Sequence, residues 1–171
     1  MVDKHPLIKG FEGARHTNRV VRSLVAGMSL VALAACAQPA MDDINEISIE
    51  RDCFGCATAT TLVLRRDGTA TLNVTGKARH ATQNSSSTGS VTRADFDALA
   101  KLAAAKGFFQ MQDAYEMPDV QDGAWATTRV RGGTRDKQVL RRDAAGPEGL
   151  KQIEAAIAAL QARIQFVPDR R

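Results

Sequence analysis

Residues 60–75 read TTLVLRRDGTATLNVT. Two alternating apolar–polar runs flank Asp67-Gly68, and Asp-Gly between such runs is a strong hairpin signal. The alternation also selects the register. A two-residue loop of Asp67-Gly68 pairs Val63 with Leu72 and sets Leu62 and Leu64 against Asn73 and Thr71. A three-residue loop of Arg66-Asp67-Gly68 pairs Leu62 with Leu72 and Leu64 with Ala70, which gathers Leu62, Leu64, Ala70, Leu72 and Val74 on one face. A one-residue slip turns every side chain over, so the apolar pattern selects the longer loop, with Gly68 left-handed beside a bulge.

Working outward, Ile47-Ser48-Ile49 alternates and begins a preceding strand. Gly76 to Thr82 extends the sheet weakly, and Gln83 to Ser90 (QNSSSTGS) has the composition of a flexible loop with solvated serines. Thr92-Arg93-Ala94-Asp95 resembles a capping box with Asp in the Glu position, and Val91 with Phe96 forms a hydrophobic staple. Phe96, Leu99, Leu102 and Ala103 fall on one helical face, and Gly107 stops the helix. Phe108, Phe109 and Met111 then read as core. Trp125–Arg131 and Lys137–Arg141 form a second hairpin around Gly132-Gly133, and Pro147 opens a last helix with Leu150, Ile153, Ile157, Leu160 and Ile164 as its stripe. The expected fold is α+β: an antiparallel sheet built from two hairpins plus an extra strand, with two amphipathic helices packed on one face. The domain spans residues 47–164, and 165–171 read as a frayed tail.

The N-terminus carries a different signal. Ser23 to Ala35 is an uncharged apolar run behind Arg15, Arg19 and Arg22. It is shorter than the roughly 20 residues that span a bilayer and has the length of a signal-peptide core. Leu33-Ala34-Ala35-Cys36 resembles a bacterial lipobox. That resemblance implies a signal peptide over 1–35, cleavage before Cys36, and acylation of Cys36, palmitate among its chains; the 22 residues ahead of the apolar run are long for such a leader, which points to a true start near Val20. Two or more chains hold a protein stably where one binds only marginally. Residues 36–46 then read as the lipidated cysteine and a tether. Residues 1–35 hold five of the 23 Lys/Arg and two of the 19 Asp/Glu, so the remainder stands at 18 against 17, net +1. That balance gives no electrostatic reason for a nucleic-acid partner.

Within the folded part, Glu50-Arg51-Asp52-Cys53-Phe54-Gly55-Cys56 holds the two other cysteines. An oxidising compartment makes a Cys53–Cys56 disulfide the default. Fully extended, their Cα atoms would lie about 10 Å apart, whereas a disulfide needs less than about 7 Å. A bridge therefore requires a turn at Phe54-Gly55, and Gly55 suits the third position of a type II turn. The sharper alternative is a redox pair, but the helix N-terminus that usually lowers a reactive cysteine's pKa is replaced here by a strand. A structural zinc site needs four ligands, and Cys53, Cys56 and His80 are too few. His80 reads as a strand-edge residue, and Arg51-Asp52 as a solvated pair. Asp113 and Asp122 flank loops and read as turn or cap residues. Trp125 reads as a packing anchor that would mark a partner surface if exposed.

The order of landmarks is a resemblance in itself. Glu50-Arg51-x-Cys53-Phe54-Gly55-Cys56 precedes a hairpin and a helix. Gly107-Phe108-Phe109, Asp113-x-Tyr115, Asp122, Thr127-Thr128 and Pro147-x-x-Leu150 follow. Over about residues 47–160 this resembles the bacterial family called domain of unknown function 6438, often found in lipoproteins. Members read Cys-x-Gly-x-Cys-Pro-x-Tyr where this chain has one residue fewer between its cysteines, and Ala57 and Ala59 in place of Pro and Tyr. The family supplies no activity. The resulting expectation is a lipid-anchored module facing the periplasm, on the outer membrane by the residue after Cys36. It would bind an envelope protein partner and use no cofactor or metal. The rival is a periplasmic thiol–disulfide oxidoreductase with Cys53 and Cys56 as its catalytic pair.

Overall fold

Ile44, Ile47 and Ile49 give the chain its central strand. In the computed structural model, which describes residues 43–117 and 122–170, β1 (Ile44–Cys53) pairs antiparallel on one side with β2 (Thr58–Arg65) and on the other with β6 (Ala124–Gly132). The strand begins three residues earlier than the expected domain start, because Ile44 is itself buried in the core. The register shifts between Ile44 and Glu46 against β6, and that bulge lets both Ile44 and Ile47 face inward.

β2 pairs with β3 (Thr69–Gly76) in the register that the apolar pattern selects, Leu62 opposite Leu72 and Leu64 opposite Ala70. The Gly68 N–H donates to the Arg65 carbonyl at 3.1 Å, and Gly68 takes φ +98°, the left-handed value that glycine tolerates. On the far side of β1, β6 pairs with β7 (Arg135–Arg142) through a turn at Gly133-Thr134, one residue beyond the expected Gly132-Gly133.

The sheet extends further than two hairpins and one strand. With β4 (Ser85–Ser90), β5 (Ala114–Tyr115) and β8 (Val167–Pro168) it has eight strands among the described residues, in the order β5-β7-β6-β1-β2-β3-β4-β8, antiparallel throughout except where β5 pairs parallel with β7. The serine-rich segment expected as a flexible loop is β4 (Ser85–Ser90), paired with β3. Its register puts Ser85, Ser87 and Gly89 on the core face, and the segment after the last helix crosses there. A Cβ on Gly89 would stand 2.5 Å from Ile164 Cγ2. Only a strand with almost no side chain on that face leaves room for Ile164 and Phe166, which pack against the core. The tail is ordered by the same contact. β8 (Val167–Pro168) pairs with β4, and the Asp169 N–H donates to the Ser86 carbonyl at 2.9 Å.

The buried strand residues Ile47, Ile49, Leu62, Leu64, Ala70, Thr128, Val130 and Val139 all share one face by register. Phe96, Leu99, Ala100 and Ala103 of α1 (Arg93–Ala105) join them in a single core. So do Leu150, Ile153, Ile157 and Leu160 of α2 (Glu148–Gln161). Thr92 caps α1: its hydroxyl accepts from the Asp95 N–H at 3.1 Å and donates to the Asp95 carboxylate at 2.7 Å. The staple partners Val91 and Phe96 are both buried. Gly107, at φ +68°, follows the C-cap residue Lys106 and ends the helix in the left-handed conformation. Pro147 is the N-cap of α2 rather than its first helical residue. Among the described residues no helix is long and apolar enough to cross a membrane. Cys36 and the segment before it lie outside the described residues.

Candidate functional site

At the pole where β1 and β7 end and β2 and β6 begin, the apolar core face turns polar. Register places Arg51 of β1, Ala126 of β6 and Arg141 of β7 in one row across that face, one row beyond Ile49, Thr128 and Val139. In the next row Cys53 stands opposite Ala124, whose carbonyl accepts from the Asp143 N–H at 2.8 Å. Two alanines between long side chains on either side leave a trough. It is a cavity of about 340 Å³, lined by Arg51, Arg141, Asp143, Ala124, Ala126 and the two cysteines, with Thr58, Thr60, Asp52 and Trp125 around them.

The arginines are organised by an acid that breaks the α2 stripe. Glu154 sits between Ile153 and Ile157 on the helix and is 6% exposed. Arg141 donates from Nε and Nη2 to Glu154 Oε2 at 2.9 and 2.7 Å, and Arg51 Nη2 donates to the Glu154 backbone carbonyl at 3.4 Å. Glu154 Oε1 is buried and has no hydrogen-bond partner. One carboxylate therefore faces two guanidinium groups. Burial lowers the Arg51 pKa, an effect that Glu154 opposes and Arg141 reinforces. The row holds positive charge that its own side chains only partly compensate.

The wall of the cavity is the disulfide. Cys53 and Cys56 are bonded with their Cα atoms 5.2 Å apart, in a turn closed by the Cys56 N–H to the Cys53 carbonyl at 3.3 Å. The turn expected at Phe54-Gly55 is present, but it is not type II. Gly55 has no positive φ, and a Cβ added to it would meet nothing within 4 Å. The bend is held from outside instead. Asp52 accepts from the Cys53 N–H at 2.7 Å and pairs with Lys77, whose Nζ also donates to the Cys53 carbonyl at 3.0 Å. Arg79 bonds the Phe54 carbonyl and lies over its ring at 5.5 Å, which fixes a phenyl group that is 60% exposed.

Arg51 and Asp52 are thus not a solvated pair. The strand sends them to opposite faces, Arg51 toward Glu154 and Asp52 toward Lys77, and both border the cavity. Trp125 is half-buried, lines the cavity and lies beneath the Arg142 guanidinium at 5.7 Å. His80 is exposed and closes the 3-10 turn Ala78–His80, not a strand edge. Asp113 pairs with Lys137, and Asp122 is exposed. Asp143, Arg141 and Glu154 were not singled out from the sequence. The available signal was Glu154 itself, an acid on the buried stripe of α2, which requires a cationic partner from elsewhere in the chain.

A family model described as Domain of unknown function (DUF6438) matches residues 45–161. No curated protein gives a significant match to the chain.

Proposed function

The chain belongs to the DUF6438 family, whose function is unknown, and from that premise we propose a non-enzymatic binding module, lipid-anchored through Cys36 on the periplasmic face of a bacterial membrane, the outer one by the residue after the anchor. The observation that carries the binding reading is the arginine-lined cavity beside a rigidly held, exposed Phe54. An aromatic fixed by a disulfide and a stacked arginine loses little conformational entropy on docking, which favours binding. The chain enters β1 at Ile44 and reaches the cavity at Cys53, about 30 Å further on at the usual strand rise, so the start of β1 lies at the opposite end of the strand from the cavity.

The rival reading makes Cys53 and Cys56 a thiol–disulfide exchange pair. Cys53 ends a strand and Cys56 ends a turn, so neither gains the thiolate stabilisation of a helix N-terminus. The test is photocrosslinking in cells with p-benzoylphenylalanine in place of Phe54. A discrete adduct that persists in the Cys53→Ser/Cys56→Ser variant is expected. Mixed disulfides trapped by either single Cys→Ser variant, with no photoadduct, would overturn the binding reading in favour of the oxidoreductase.

A further inference from the structure

The cavity's chemistry is specific enough to name a ligand class, an inference that rests on the binding-module reading. Arg141 has its anionic partner, since both of its short bonds go to Glu154 Oε2. Arg51 donates to a backbone carbonyl at 3.4 Å, a long contact to a neutral acceptor. It is the guanidinium group in the row whose charge is least matched, and it lines the cavity. Beside it the floor is Ala124 and Ala126, and the wall is the disulfide. Asp143 stands across Ala124 from Cys53, and Asp52, paired with Lys77, borders the cavity too, so the lining carries two carboxylates.

We propose that the cavity takes a small monocarboxylate with a compact apolar body, its carboxylate ion-paired to Arg51 and its body laid over Ala124 and Ala126. A carboxylate supplies the planar, bidentate acceptor that a guanidinium fork matches. The alanine floor and disulfide supply apolar contact. Asp143 and Asp52 repel a second negative charge, which selects a monoanion. At about 30 Å³ per water-sized volume, 340 Å³ accommodates roughly ten heavy atoms. Two sources share this chemistry: the C-terminal residue of a polypeptide and a free small carboxylic acid.

The chain has one tryptophan, Trp125, and it lines the cavity, so its fluorescence reports occupancy in the full chain held in detergent. The probes are N-acetyl-leucine, which mimics a chain end, 4-methylpentanoate, which is the free acid without the amide, and N-acetyl-leucinamide, which lacks the charge. Saturable change with a carboxylate and none with the amide is expected. N-acetyl-leucine binding at least tenfold tighter than 4-methylpentanoate identifies a chain end, and equal or weaker binding identifies a free acid. Arg51→Gln should weaken the carboxylate by about 10- to 100-fold, as loss of a charge-assisted bond does. Ala124→Leu, on the exposed floor of the trough, should abolish binding while the fold persists. The proposal is overturned if neither carboxylate saturates, if the amide binds equally well, or if Arg51→Gln leaves the affinity unchanged. A Phe54 photoadduct that survives such a failure would keep the binding module and discard this ligand class. Loss of both would discard both.

Discussion

Glu154→Gln is the most informative single change in the molecule. The substitution keeps the shape of the side chain and removes the carboxylate that Arg141 bonds and that attracts Arg51 through space. Removing one partner of a buried ion pair costs about 3–5 kcal/mol. The Arg141 side chain is 21% exposed, so hydration recovers part of the loss and the expected cost is about 3 kcal/mol. Arg51 should then change sign. In the native protein its attraction to Glu154 and its repulsion from Arg141 oppose each other, and Arg51→Gln alone should be worth within about 1 kcal/mol of zero. Without the carboxylate, burial and repulsion from Arg141 are opposed only by the long bond to the Glu154 backbone carbonyl. The two arginines stand in one row with β6 between them, two strand spacings or about 10 Å apart, which corresponds to about 1.5 kcal/mol at an effective dielectric near 20. Arg51→Gln added to Glu154→Gln should therefore restore about 1 kcal/mol. Urea unfolding followed by Trp125 fluorescence and by circular dichroism measures all four species of this cycle. The reasoning is refuted if Glu154→Gln costs less than about 1 kcal/mol, or if the two changes add to within about 0.5 kcal/mol.

Three further outcomes follow from the same geometry. The Cys53–Cys56 bridge closes a loop of only three residues' separation, so replacing both cysteines by serine should cost about 2 kcal/mol and leave the domain folded; chemical denaturation of the two forms checks this, and loss of the fold would contradict it. Gly55→Ala should not impair disulfide formation and should stabilise by about 0.4–1 kcal/mol, because the bend uses no left-handed residue there; a fall in oxidation measured by thiol titration would contradict the turn geometry. The Thr92 hydroxyl, then Arg163, holds the Asp95 carboxyl below its usual value, and Arg129 does the same for Asp136. Stability from these groups is complete above the unfolded carboxyl value of about 3.9 and is lost as the pH falls through the depressed folded values. Asp95→Asn should accordingly flatten the loss of stability below pH 4, read from thermal melts across that range.

The parts of the fold that could be read from sequence are those where side-chain pattern and turn chemistry agree. Leu62, Leu64, Ala70 and Leu72 fixed a register that the structure has, and Thr92 with Gly107 bounded α1. β4 was missed because its information is negative. Ser85, Ser87 and Gly89 form a strand face by being small enough for Ile164 and Phe166 to lie over them. No local propensity marks that condition, which depends on residues some 75 positions away. The cavity was hidden for a related reason. The disulfide in its wall was expected, but Arg51 and Arg141 meet only through β6, and both depend on an acid on α2. Local reading paired Arg51 with its neighbour Asp52, whereas strand alternation separates them.

The two outermost strands, β5 and β8, are two residues long. A sheet of eight strands with long, unpaired margins would offer backbone donors and acceptors to any second copy. Here one margin ends on a proline, Pro168, which has no N–H to offer, and the other on a parallel stub of two residues, Ala114–Tyr115. If the proposed anchor on Cys36 holds copies in two dimensions, they would meet at local concentrations far above those in solution. Under such crowding these short terminal strands act as stoppers against sheet-to-sheet polymerisation, and contacts between copies would have to be made by side chains.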